Sequence, residues 1–227
     1  PWSIEEHVFA IVPPERATTP DSGAKLMRSY LEKRPEDRHS HRALGRYLIL
    51  GQRFAEAEKE MRALLAGHPG DVVGTALLAE ALVMQGQLDA ARALLAARPL
   101  GDDPPVCIVR SWAELKRAEQ DWETAAKLFA WVVHQQPDDL ASQYRLGQAF
   151  VRIGRDEEAE ACLQTAERKD RLQTESLRLV WGSREKIDLM VEIAIGVGDL
   201  LRELERPAEA SEWYRQARNG FGRPANS

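Results

Sequence analysis

Large apolar residues, each followed at once by a small one, recur along this chain at a step of 34 positions. The pairs are Leu44-Gly45, Leu78-Ala79, Trp112-Ala113 and Leu146-Gly147. Ala57, Ala91, Ala125 and Ala159 keep the same step, as do Met61, Leu95, Phe129 and Leu163. Pro35, Pro69 and Pro137 fall in phase with them. So many series in one register predict a repeated pair of helices, each pair unable to bury its apolar face without the next.

Each marker has a steric reason. Helices approach to about 8–10 Å only where the side chains at the contact are small. Gly45, Ala79, Ala113 and Gly147 supply this in the first helix of each pair, and the alanine series supplies it in the second. The prolines close the second helices, because proline cannot continue a helix and biases its predecessor away from helical angles. Gly51, Gly86 and Gly154 are expected at the turn within a pair, where a positive φ costs glycine little.

This pattern resembles the tetratricopeptide repeat family, whose unit is a helix–turn–helix of the form W-x2-L-G-x2-Y…A-x3-F…P. Tyr144-Arg145-Leu146-Gly147-Gln148-Ala149-Phe150, followed by Gly154, Glu158-Ala159 and Leu163, is the fullest match. Gln120-Asp121-Trp122-Glu123-Thr124-Ala125 with Phe129 and Pro137 is another. The resemblance implies an all-α, right-handed α-solenoid of antiparallel helix pairs. It also implies a scaffold that binds a peptide or protein segment in a concave groove lined by the first helices. Lys116 and Arg98 stand where the family places apolar residues, and their heads are expected to reach water over an apolar stem.

The register divides the chain. Residues 1–21 do not fit the period. Pro13-Pro14 and Pro20 oppose a regular helix there, yet Trp2, Ile4, Val8, Phe9, Ile11 and Val12 are too apolar for a plain linker. The segment reads as an extended piece on the first helices or as the tail of an earlier domain. A solenoid over 22–222 follows. It begins with a half repeat, 22–35, its helix capped at Asp21-Ser22, and continues with repeats 38–71, 72–105, 106–139 and 140–171. Gly198, Ala210, Tyr214 and Ala217 resume the pattern 17 residues late, half a repeat. An extra helix over 172–183 and a last repeat over 184–222 account for the shift, with a tail at 223–227. The second repeat lacks its proline in phase, and Pro99, Pro104 and Pro105 predict an irregular junction there.

Composition is that of an ordinary globular protein, 44% hydrophobic and 30% charged in 227 residues. The net charge of −5 speaks against a nucleic-acid binder. No apolar run reaches the roughly 20 residues of a membrane helix. Cys107 and Cys162 make neither a disulfide framework nor a zinc site and read as small apolar fillers. The cytoplasm is the expected location. The chain starts at Pro1 rather than at a methionine, so a periplasmic or exported location stays open.

Candidate chemistry is thin. His39 and His41 form H-x-H, but no carboxylate or cysteine stands at ligand spacing, and both read as exposed histidines at a helix start. Gly196-Val197-Gly198 lacks the third glycine and the strand of a phosphate loop. No nucleophile has a recognisable base. The expectation is a non-enzyme with no cofactor and no metal.

Helical phase places Arg42, Arg46 and Ile49, then Ala76, Glu80, Val83 and Met84, on the groove side of the first helices. Arg110, Glu114 and Arg117 follow, then Tyr144, Gln148, Val151 and Arg152, then Ile195, Asp199 and Arg202. Basic residues outnumber acidic ones, which suits a protein or peptide partner bearing acidic groups, since arginine holds carboxylates with two bonds. An ordinary solvated face explains the same charges, and a structural or oligomerisation domain of a larger protein, with no groove ligand, is the alternative function. Some members of the family clamp a chaperone's C-terminal carboxylate with lysines and asparagines. Arg42, Arg46 and Glu80 stand at the matching positions with no asparagine pair, so that clamp is not expected.

Overall fold

The structure, a computed structural model, describes residues 19–182 and 187–219. They form eleven helices and, among the described residues, no strand. These are α1 (Pro20–Lys33), α2 (Arg38–Leu50), α3 (Phe54–Gly67), α4 (Val72–Met84), α5 (Leu88–Ala96) and α6 (Val106–Ala118). Then follow α7 (Trp122–Gln135), α8 (Leu140–Arg152), α9 (Asp156–Gly182), α10 (Ile187–Glu203) and α11 (Pro207–Asn219). Even-numbered helices are the first of each pair and odd-numbered helices the second. The fold is a helical solenoid of the expected class. It divides into two compact units at Cys162 and Leu163.

In the unit ending at Cys162, each helix packs on the next from α1 to α8. Ala57, Ala91 and Ala125 have no exposed surface, and Ala159 almost none. A Cβ on Gly45 would lie 2.6 Å from Cε of Met61, so this crossing has no room for a larger residue unless the methionine moves. Helix α4 is apolar on nearly every side because α2, α3, α5 and α6 all contact it. The irregular junction is at α5. This helix is short, and α6 packs more on α4 than on α5. There Ser111 Oγ donates to the carbonyls of Ala76 (3.2 Å) and Cys107 (3.0 Å).

A second device joins repeats. Asp71 caps α4, accepting from Gly74 N at 2.8 Å, and its buried carboxylate also accepts from Arg42 Nε and Nη2 at 2.6–3.0 Å. Arg110 Nη2 meets Asp139, the cap of α8, at 2.7 Å, but its Nε is buried without a partner among the described residues, so this tie is single where that of Arg42 is forked. Both pairs span 29 residues. At the junction between them the corresponding positions hold Ala76 and Pro105, and the tie is missing.

In the unit beginning at Leu163, α10 and α11 form a helix pair around Ala194, Val197, Leu201, Ala210 and Trp213, with Leu172 in the same core. Tyr214 lies so close to Gly198 that a Cβ there would stand 2.5 Å from its ring. The tyrosine O–H donates to Asp199 at 2.7 Å.

Several expectations are corrected. The first helix starts at Pro20, not after Asp21-Ser22. Thr19 is its cap, and proline is tolerated in the first turn because its missing N–H has no helical partner. No separate helix begins at Leu172, since α9 runs unbroken from Asp156 to Gly182. The left-handed turn residue is not Gly51, whose φ is −82°. It is the next position in register: Gln52, Gly86, Gln120 and Gly154 have φ of 58°, 75°, 63° and 75°. His41 is not an exposed histidine. Its Nδ1 meets Glu60 at 2.5 Å and its Nε2 meets the Pro35 carbonyl at 2.7 Å. Burial opposes its charge, but these two acceptors outweigh burial and raise its pKa. Arg98 gives its head to the Pro69 carbonyl, and Lys116 gives its head to Glu119. Most of the irregular N-terminal segment and the tail lie outside the described residues.

Two predictions follow from these contacts. Gln120 is exposed and holds a left-handed conformation that costs a non-glycine residue about 1 kcal/mol. Gln120→Gly should therefore raise the melting temperature, by about 2–4 °C for a chain of this size. A lower melting temperature would show that the turn carries no such cost. At Asp71, burial pushes the carboxyl pKa up, but Arg42 and the Gly74 N–H outweigh it and hold the pKa below its ordinary value. A depressed folded pKa gives stability that is present above the unfolded value, about 3.9, and is lost as pH falls through the folded one. Asp71→Asn keeps the cap and removes the charge. Urea unfolding should show it about 1–3 kcal/mol less stable than wild type near neutral pH, with the gap closing as pH falls below the unfolded value and through the folded one.

Candidate functional site: the first-helix face

The four first helices of the unit ending at Cys162 carry eight lysines or arginines against two acids, Glu80 and Glu114. This concentration of positive charge sits in a chain whose net charge is −5. Most of these cations already have carboxylate partners. Arg42 and Arg110 are held by the caps Asp71 and Asp139. Arg117 Nε and Arg145 Nε share Glu114 at 2.7 and 3.3 Å, and Arg145 also donates to Gln148 at 3.1 Å. Arg46 meets Glu80 at 3.5 Å. Arg152 differs: its guanidinium lies 5.4 Å from the centroid of the Trp122 ring, and it has no carboxylate partner among the described residues.

Arg46, Glu80, Glu114 and Gln148 occupy one register position, one per helix, so they make a row across the face. Glu80 is held above the ordinary carboxylate range by burial, which Arg46 opposes and the neighbouring charge of Glu114 reinforces. The crowding follows from the packing of α6 on α4. The side chain as a whole keeps 32% of its surface exposed, while the carboxyl end is the part that the protein surrounds.

Apolar exposure follows the same geometry. In this unit the exposed large hydrophobic residues are Leu26, Tyr30, Leu50, Val73, Met84, Leu100, Tyr144 and Val151. Five of the eight, Leu50, Val73, Met84, Tyr144 and Val151, lie on first helices and are 39–52% exposed. Ile49, Ala76 and Val83, expected on the groove side, are buried instead. Leu50 and Val73 escaped the helical phasing. Leu50 could have been found, because it stands one period before Met84.

No group of histidine, cysteine or acidic residues among the described residues is placed to hold a metal, and both ring nitrogens of His41 are engaged within the chain. Burial pushes both cysteine thiols up, away from the thiolate form. No helix among the described residues is long and apolar enough to cross a membrane.

Two sequence profiles agree with the fold. A sequence profile described as the tetratricopeptide repeat matches residues 48–105 and 116–180, and a second of the same description matches residues 16–72. No curated protein matches the chain. Among solved structures, MamA MSR-1 C2 is 19% identical, with a TM-score of 0.44 over 83% of this chain and 98% of that one. MamA AMB-1 C2221 is also 19% identical, with a TM-score of 0.44 over 79% of this chain and 95% of that one. The chain belongs to the tetratricopeptide repeat family.

Proposed function

We propose that this chain is a non-catalytic scaffold that holds a segment of another protein against the first-helix face of α2, α4, α6 and α8. The observation that carries this reading is the concentration of exposed apolar side chains there. Leu50, Val73, Met84, Tyr144 and Val151 keep about 40–50% of their surface in water on helices whose other faces are buried. Exposed apolar side chains gathered on one set of helices support reading that face as an interaction surface. Stacked helix pairs of this family offer such an extended face to their ligands. Arg152, which has no carboxylate partner among the described residues, favours a partner with an acidic group, and tyrosine and arginine are the residue types that most often dominate binding.

Site-specific photo-crosslinking tests the reading. A benzophenone side chain at Met84 or Val151 should capture another protein from cells of the source. The same group at Lys59 on α3 or Lys127 on α7, both exposed on second helices, should not. Equal capture from both sets would overturn the reading. Adducts only with a second copy of the chain would favour the alternative, an oligomerisation domain.

A further inference from the structure

The last turn of each first helix presents one residue at the same register position: Leu50 on α2, Met84 on α4, Ala118 on α6 and Arg152 on α8. The row changes character along its length. Leu50 and Met84 are large, apolar and exposed. Ala118 is small and partly buried against the core. Arg152 is an exposed cation set against the Trp122 ring. The acidic residues of the face are engaged elsewhere, Glu80 with Arg46 and Glu114 with Arg117 and Arg145. The cation at the end of the row is therefore not neutralised within the described chain.

We infer that this row reads an acidic, apolar-anchored protein segment in one direction, with two apolar side chains on Leu50 and Met84 and a carboxylate on Arg152. The inference rests on the scaffold reading above and adds the ligand's chemistry and polarity. The dipole of α8 opposes an anion at this end, but it amounts to about half a charge against the full charge of Arg152. A net attraction remains, and the guanidinium fork can hold both carboxylate oxygens. The Trp122 ring preorganises the guanidinium, so less side-chain freedom is lost when the ligand arrives. Arg152 lies two first helices beyond Met84, so the acid of the ligand must stand several residues from its apolar pair. A ligand with its acid closer to the apolar pair cannot satisfy both.

A bland reading competes, since a basic residue in the last turn of a helix also complements the helix dipole. The test needs a readout that a dipole role would not move. A phage library of random 16-residue peptides is selected on the full chain as wild type, Arg152→Glu and Met84→Glu. Wild type should enrich peptides with an apolar pair and, several residues away, Asp or Glu. Arg152→Glu should enrich Lys or Arg at that place, because attraction there changes sign. Fluorescence anisotropy of the peptide enriched on wild type should show Arg152→Gln binding about tenfold more weakly or worse. Thermal melts should confirm that each variant is folded. If Arg152→Glu enriches the same peptides as wild type, or Arg152→Gln loses no affinity, the inference is overturned. Should Met84→Glu alone weaken binding, the scaffold face stands and only the role of Arg152 falls. If both variants bind like wild type and the peptide crosslinks from α3 or α7, the scaffold reading fails with it. Selection that enriches no peptide also counts against the row.

Discussion

The fold depends on how closely two helices of a pair can cross. Ala57, Ala91 and Ala125 have no surface left in water, and across from them the first helices carry glycine or alanine at Gly45, Ala79, Ala113 and Gly147. A larger residue at such a crossing would force the helices apart and open gaps around Leu44, Leu78 and Phe129, which interiors tolerate poorly. Because the alanines sit in the same phase of every pair, each pair presents the same unfinished apolar surface to its successor. Repetition is then the means by which that surface is covered.

Charge is organised on top of this packing. Three of the first helices, α2, α6 and α8, are basic, and the turns before α2, α4, α6 and α8 carry acidic residues. Asp71 and Asp139 each do two jobs: they satisfy helix N–H groups and neutralise an arginine of the preceding repeat. These arginines thus belong to the joints between repeats. The joint between α4 and α6 lacks the pair and relies on closer helix packing and the Ser111 hydroxyl. What the face offers a partner is what the joints leave over: exposed apolar side chains and Arg152.

Much of the fold was legible because its markers are steric and local. Gly45, Ala57 and Pro35 each state a packing or chain-direction constraint that holds in any context. The unbroken α9 was not legible. The period placed a repeat boundary at Arg171, where earlier repeats have a proline, and the residues around it contain neither glycine nor proline to stop a helix. The site was half legible. Helical phase found Tyr144, Val151 and Met84, which are exposed. It could not tell Arg42, locked to a carboxylate in a turn 29 residues ahead, from Arg152, because phase gives direction and not the partner reached. The shared offset of Arg42–Asp71 and Arg110–Asp139 is a sequence signal, but it is visible only when residues from neighbouring repeats are compared.

Glu80 has a consequence for the energetics of occupancy. Its carboxyl already binds a proton more readily than a free glutamate, because so much protein surrounds it on the inner side of α4. An apolar segment laid beside Met84 would remove much of the water that still reaches it, and the proton affinity would rise further. Occupancy would then be coupled to proton uptake. The heat of association would depend on the ionisation enthalpy of the buffer, and the contribution of Glu80 to affinity would strengthen as pH falls.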